Sequence, residues 1–222
     1  YIPTIGLCLF VGFLLERVGT RFSAPVAQWG VPVAICAAIA IPAGWSARTR
    51  GEVWQNNMAF WSDTVNKASN QGLPHLHLGI TYSEKRYTAT TDEEKAEWDR
   101  KAIAEYQRAL ETYDDNEGRS KAHNNMGSSY IAMGEYDKAI EHFQQATQID
   151  TRYPNAHYNW GMAILAKVRD VDDSLERSKL ILDAITHLRT AIGFNPRYTK
   201  AHLQLGNVLI TAGKTQALFD EG

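Results

Sequence analysis

Four times along this chain a His stands four residues before a Gly: His75 and Gly79, His123 and Gly127, His157 and Gly161, His202 and Gly206. Each pair opens a stretch whose apolar residues recur at helical spacing. The fullest stretch runs from Ser120 to Tyr153 and carries Met126-Gly127, Tyr130, Gly134, Tyr136, Ala139, Phe143 and Ala146. From Gly127 to Gly161 is 34 residues. A fixed period of that length constrains the fold more tightly than composition can. Each unit is expected to be a helical hairpin that cannot bury its own apolar face. Such units stack, and at least about three are needed for stability.

Small residues at fixed places explain how the stack closes. Gly127 on the first helix and Ala139 on the second are expected to face each other where the helices cross. Tyr130, Phe143 and Ala146 then fill the space toward the next helix. A bulky side chain at Gly127 or Gly161 is expected to over-pack the crossing, at a cost of about 1–3 kcal/mol. In period and residue types the region resembles the tetratricopeptide repeat (TPR), a helix-turn-helix unit. The register predicts repeats over about 72–119, 120–153, 154–198 and 199–222. The first carries Leu78-Gly79, Tyr82, Ala102, Tyr106 and Ala109; the third carries Trp160-Gly161, Ile164, Ala184, Leu188, Ala191 and Pro196. In both, Gly and Ala are 23 residues apart instead of the 12 of the second repeat. The extra 11 residues amount to about three helical turns and predict longer second helices. Thr91-Asp92-Glu93-Glu94 reads as a capping box before one of them, and Asp173-Ser174-Leu175-Glu176 as a start signal before the other. The fourth repeat, with Leu205-Gly206, Leu209 and Gly213, is expected to stop early in its second helix.

The first 45 residues differ in kind. Their charged side chains are Glu16, Arg17 and Arg21, in a turn with Gly19 and Pro25. Val26–Trp45 is a twenty-residue uncharged run, long enough for about 30 Å of hydrocarbon. Trp29 and Trp45 lie near its ends, where amphipathic rings favour a bilayer interface. Tyr1–Leu15, about 22 Å as a helix, is short for a span and predicts a helix continuing upstream. A signal peptide fits less well, because a second apolar helix follows at once. Between hairpin and repeats, residues 46–71 are expected to hold a connecting helix over Glu52–Ala68 that caps the first repeat, ended by Ser69-Asn70-Gln71-Gly72 before Pro74. The expected fold is therefore all-α: a hydrophobic, transmembrane-like hairpin over 1–45, a capping helix within 46–71, and an α-solenoid over 72–222. Arg17 and Arg21 at the hairpin turn and Arg48 and Arg50 at its exit leave either orientation open.

Setting aside Glu16, Arg17 and Arg21, the part from Ser46 onward has 24 acidic and 21 basic residues, with no basic stripe. That balance argues against nucleic acid as a partner. Cys8 and Cys36 fall inside the apolar helices and read as packing residues.

The run Tyr1-Ile2-Pro3-Thr4-Ile5-Gly6-Leu7-Cys8 resembles a Tyr-Leu-Pro-Ser-Ile-Gly-Phe-Cys run near the end of a known membrane domain. That membrane domain is the one found in the transmembrane and TPR O-mannosyltransferase-like proteins, which this chain resembles. A Trp-containing helix like Trp54–Asp63 and repeats opening with Pro-His-x-x-Leu-Gly, as at Pro74–Gly79, follow in the same order. The resemblance implies a polytopic glycosyltransferase with a lipid-phosphate sugar donor and with repeats on the luminal or periplasmic side. The family's catalytic acidic residues lie in an early exoplasmic loop that has no counterpart here. This chain would be its C-terminal tail and would not itself catalyse sugar transfer.

Other chemistry is sparse. The repeated His residues stand on successive helices about 10 Å apart and do not converge on one ion at about 2 Å. Packing or hydrogen bonding is expected of them, and of His142 and His187 on the second helices. Asp172-Asp173 and Asp92-Glu93-Glu94 read as helix starts favoured by the dipole. No catalytic residue, metal site or cofactor is assigned, and there is no phosphate loop or dinucleotide fingerprint.

Binding is expected on the concave face lined by first helices. The candidates are Lys121, Asn124, Asn125 and Ser128; Asn155, Tyr158, Asn159 and Met162; and Lys200, Leu203, Gln204 and Asn207. An Asn amide can donate to and accept from a peptide backbone; the alternative is that Asn125 and Asn159 serve only the neighbouring helix. The groove lacks a dense Lys/Arg clamp, which disfavours a C-terminal carboxylate as ligand. Three functions fit: a non-catalytic interaction module of a membrane glycosyltransferase-like protein, a stand-alone membrane-anchored scaffold, or a processed subunit of an extracellular filament with the hairpin in its core. The expected partners are a protein or peptide segment in the groove, membrane or other apolar helices along 1–45, and a second copy of the chain. The repeats are expected to be periplasmic or exoplasmic at a membrane, or else part of a cell-surface assembly.

Overall fold

The structure, a computed structural model, describes residue 51 and residues 56–220, with side chains as far as 212. The hairpin expected over 1–45 and the start of the connecting helix lie outside the described residues. The chain divides into two compact units, Tyr1–Asn57 and Met58–Gly222, and the repeats occupy the second. Among the described residues no helix is long and apolar enough to cross a membrane.

Among the described residues the second unit is helical, without strands. Its elements are α1 (Asn57–Lys67), α2 (Gly72–Lys85), α3 (Asp92–Thr112), α4 (Asn116–Ala132), α5 (Tyr136–Ile149), α6 (Pro154–Lys167), α7 (Ser174–Phe194) and α8 (Thr199–Asp220). Helices α2/α3, α4/α5 and α6/α7 form three antiparallel hairpins, each packed on the next. The first helices of neighbouring hairpins also touch, α2 on α4 and α4 on α6, and so share one face.

Helix starts and stops follow local chemistry. Thr91 Oγ1 accepts from Glu94 N at 3.1 Å while Glu94 reaches back to Thr91 N, the reciprocal capping box expected before α3. Asp173 caps α7 by accepting from Glu176 N at 2.6 Å, and Asp115 caps α4 in the same way from Gly118 N. After α4, Gly134 takes φ +78°, with Glu135 N donating to Tyr130 O and Gly134 N to Ile131 O. This is a Schellman stop, and its left-handed residue has to be free of a Cβ clash.

The two insertions are built alike. Both α3 and α7 have 21 residues against 14 in α5. Their added length precedes the packing Ala (Ala102, Ala184), and the connectors 86–91 and 168–173 are wider than 133–135. Much of the added length is therefore helix, as expected, and the remainder goes mainly to a 3₁₀ turn in each connector, Arg86–Thr88 and Val168–Asp170.

The crossings are close. A Cβ on Gly79 would lie 2.5 Å from the Tyr106 ring and 3.1 Å from the Ala102 carbonyl; one on Gly161 would lie 3.1 Å from the Ala184 carbonyl. At Gly127 the nearest atoms belong instead to the Phe143 ring, 2.7 Å away, so the close approach is to an aromatic ring one turn past Ala139 and not to Ala139 as expected. Tyr106, Phe143 and Leu188 hold the same position on α3, α5 and α7 and are fully or almost fully buried. Ala102, Ala139 and Ala184 one turn earlier have no exposed surface.

The last repeat departs from expectation. α8 continues through Gly213 as one helix to Asp220. A lone Gly costs a helix only about 1 kcal/mol, and the residues that follow it favour helix. No second helix packs on α8 among the described residues, and a Cβ on Gly206 would meet open space.

Candidate protein-binding groove

Helices α2 and α4 enclose a cleft of about 520 Å³ on the shared face of the first helices. Its walls include Leu73, His77 and Ile80 from α2, Glu117, Lys121 and Asn125 from α4, Tyr113 from the end of α3, and Tyr153. Leu73 is 54% exposed, an apolar side chain left open at the mouth. Lys121 pairs with Glu117 at 2.5 Å, and this hydrogen bond raises the ammonium pKa. Burial, helped by Lys121, lowers the His77 pKa and favours the neutral ring, which Trp61 of α1 covers at 4.4 Å.

Tyr113 is wedged between two helix starts. A Cβ on Gly72 would lie 2.6 Å from its ring, and one on Gly118 would also strike it. These glycines leave room for an aromatic plate at the floor of the cleft.

The twelve candidate residues divide. Lys121, Ser128, Asn155, Lys200, Leu203 and Asn207 are exposed, and Asn125, Tyr158, Asn159, Met162 and Gln204 are half-buried. Asn124 is only 6% exposed. It accepts from Asn159 Nδ2 at 2.9 Å and donates to Asn125 Oδ1 at 3.2 Å, forming an amide chain that ties α4 to α6. Asn124 thus faces the neighbouring helix, and Asn159 serves that helix too. Ser128 Oγ donates to its own helix at the Asn124 carbonyl. Tyr158 packs beside the Ile185, Leu188 and Val208 cluster, with its ring 5.1 Å from Tyr198. The cleft adds Leu73, His77 and Ile80, which precede Lys121, Asn125 and Ser128 by the same 48 residues as Gly79 precedes Gly127. The register points to them, but apolar side chains at these places resemble core.

The first three of the repeated His residues lie between the two helices of one hairpin. His75 Nδ1 meets Glu105 Oε2 at 2.7 Å, His123 Nδ1 meets His142 Nδ1 at 3.0 Å, and His157 Nδ1 lies 3.5 Å from His187 Nδ1. Glu105, His142 and His187 each precede the aromatic or Leu of the crossing by one residue. The other ring nitrogen of His75, His157 and His202 reaches a carbonyl six residues back, at Ser69, Thr151 and Pro196. Hydrogen bonding is therefore their role in the fold. Among the described residues no group of three or more His, Cys, Asp or Glu is placed to hold a metal ion.

Residues 121–167 match the family described as TPR repeat. No curated protein matches the chain in sequence. A thermophilic TPR protein of Thermus thermophilus is similar in structure, with a TM-score of 0.57 and 17% identity over 88% of this chain and 97% of that one. MamA has a TM-score of 0.52 and 20% identity over 76% and 83%. The human IFIT1 dimer with m7Gppp-AAAA has a TM-score of 0.55 and 20% identity over 72% of this chain but 34% of its own, so this chain spans about a third of that protein. At such identities the likeness concerns fold alone. Residues 121–167 thus carry the TPR repeat, and the described residues as a whole form an all-α, TPR-like helical solenoid.

Proposed function

We propose that the repeats are a non-catalytic protein-interaction module whose concave face takes an extended segment of another protein. The observation that carries this reading is the open cleft between α2 and α4, whose walls include both exposed Leu73 and the Asn125 amide. Apolar walls with a few polar groups along them suit a side chain anchored below a peptide backbone. In the same reading residues 1–45 hold the module at a membrane, as the tail of a glycosyltransferase-like protein. Support for that part is the uncharged run Val26–Trp45 and the Tyr1–Cys8 resemblance.

A photoreactive residue at position 125 of the full chain is expected to crosslink a protein partner in cells, and one at position 182 on α7 is not. Leu73→Glu with Met162→Glu should abolish the crosslink while circular dichroism stays unchanged. Equal crosslinking from both positions would refute the groove. Recovery of the chain from a sheared surface fraction, instead of detergent extracts, would refute the membrane tail.

A further inference from the structure

The hydrogen bonds that clasp the three hairpins differ in what they do with an added proton. In His123–His142 and His157–His187 two imidazoles face each other through Nδ1. One ring must donate and the other accept, so each pair holds one added proton but not two. Doubly protonated, each would set two N–H donors against one another in a part-buried space, with two charges repelling. The first hairpin is built otherwise: Glu105 accepts from His75, so that imidazole faces a carboxylate instead of a second imidazole. We propose that mild acid opens the second and third repeats while the His75–Glu105 clasp keeps the first closed.

The surroundings support this. Tyr130 stacks on His142 at 5.3 Å, and Trp160 stacks on His187 at 3.9 Å, so aromatic surface replaces water beside both rings. The charged groups facing the first pair are Arg119 on α4, which opposes a charge on His123, and Glu141 on α5, which favours one on His142; Lys138 lies over the Tyr130 ring. Facing the second pair are Asp183, 3.7 Å from His187 Nε2, and Asp150 in the connector before α6. Burial outweighs these carboxylates, and all four His pKa values are lowered, that of His123 to about 4. Because the folded state resists protons that the unfolded state accepts from about pH 6.5 downward, stability is full above that value and declines toward pH 4. Repeats contact only their neighbours, so the loss can be local.

Hydrogen exchange of the full chain at pH 7.5 and pH 5, corrected for intrinsic rates, tests the idea. Amides of α4–α7 should lose about tenfold or more in protection, and those of α2–α3 much less. His142→Glu with His187→Glu copies the first hairpin and should remove the acid loss. His142→Gln with His187→Gln, which cannot titrate, should reduce it even if the Glu pair fails to fold. Equal loss in both regions, or an unchanged acid loss in the Gln variant, overturns the proposal.

Discussion

The first and third repeats carry the same insertion and secure it by opposite means. In the first, Arg86 Nε bonds the Asp99 carboxylate at 2.8 Å, and Arg86 Nη2 reaches the Ala132 carbonyl at 3.1 Å at the end of α4. Asp99 is 2% exposed, and burial raises its pKa against the pull of Arg86. The equivalent positions in the third repeat are Val168 and Ile181, and Ile181 joins the Leu188 cluster. Beside Arg86–Asp99, Tyr82 stacks on Trp98 at 5.7 Å, whereas the third repeat has Ile164 and Leu180 in those places. Chain length sets the shape of the extension, and the side chains beneath it decide whether it is pinned by charge or by apolar burial. The charged version also fastens the first repeat to the second, because one guanidinium serves both.

The largest expected effect comes from breaking the charged version. Arg86→Met leaves Asp99 buried without its partner and should cost about 3–5 kcal/mol in urea unfolding. Adding Asp99→Leu, to copy the apolar chemistry of the third repeat, should restore most of it. No recovery in the double variant would mean that the Ala132 bond matters more than the ion pair.

Alkaline pH sharpens the contrast next. Burial raises the Tyr106 pKa to about 12, with its hydroxyl beside Ser83 at 3.0 Å, whereas the third repeat has Leu188 at that position. The folded state holds this proton more tightly than the unfolded state. Stability is full below about pH 10 and falls as pH rises toward 12, by about 2–3 kcal/mol. Hydrogen exchange at pH 9 and 11 should show α2–α3 loosening before α6–α7, and Tyr106→Phe should abolish that order.

The smallest expected difference lies at the crossings. Gly79→Ala places its methyl 2.5 Å from the Tyr106 ring and should cost about 1–3 kcal/mol, with Gly161→Ala costing less because its new methyl is tight, 3.1 Å from Ala184 O and 3.2 Å from Leu188, but overlaps no atom as deeply. Melting temperatures of the two variants rank them; the reverse order would show that the Tyr106 ring yields more readily than backbone.

What can be read from the amino acids is mostly local. Thr91–Glu94 and Asp173–Glu176 announce their helices because a cap involves residues three apart. The Gly–Ala spacing reveals the long helices because crossing geometry repeats. Asn124 reads as a groove residue because a helix position does not say which of two adjoining faces a side chain joins. His142 and His187 match by eye, but Glu105 at the same place does not, since its chemistry differs. Gly213 reads as a turn by analogy with Gly134, although only Gly134 has the paired carbonyl bonds of a stop. Arg86 with Ala132 and Tyr113 with Gly72 and Gly118 join residues about 40 apart or more, or across helix starts, and no period announces them.

Tyr113 carries one further consequence. Its ring separates the beginnings of α2 and α4 and also lines the hollow between them. In a solenoid the rotation from one repeat to the next sets its curvature. A smaller side chain in place of Tyr113 would therefore deepen this hollow and shift the rotation between the first two repeats in one step, so the depth of the cleft and the bend of the solenoid are not independent here.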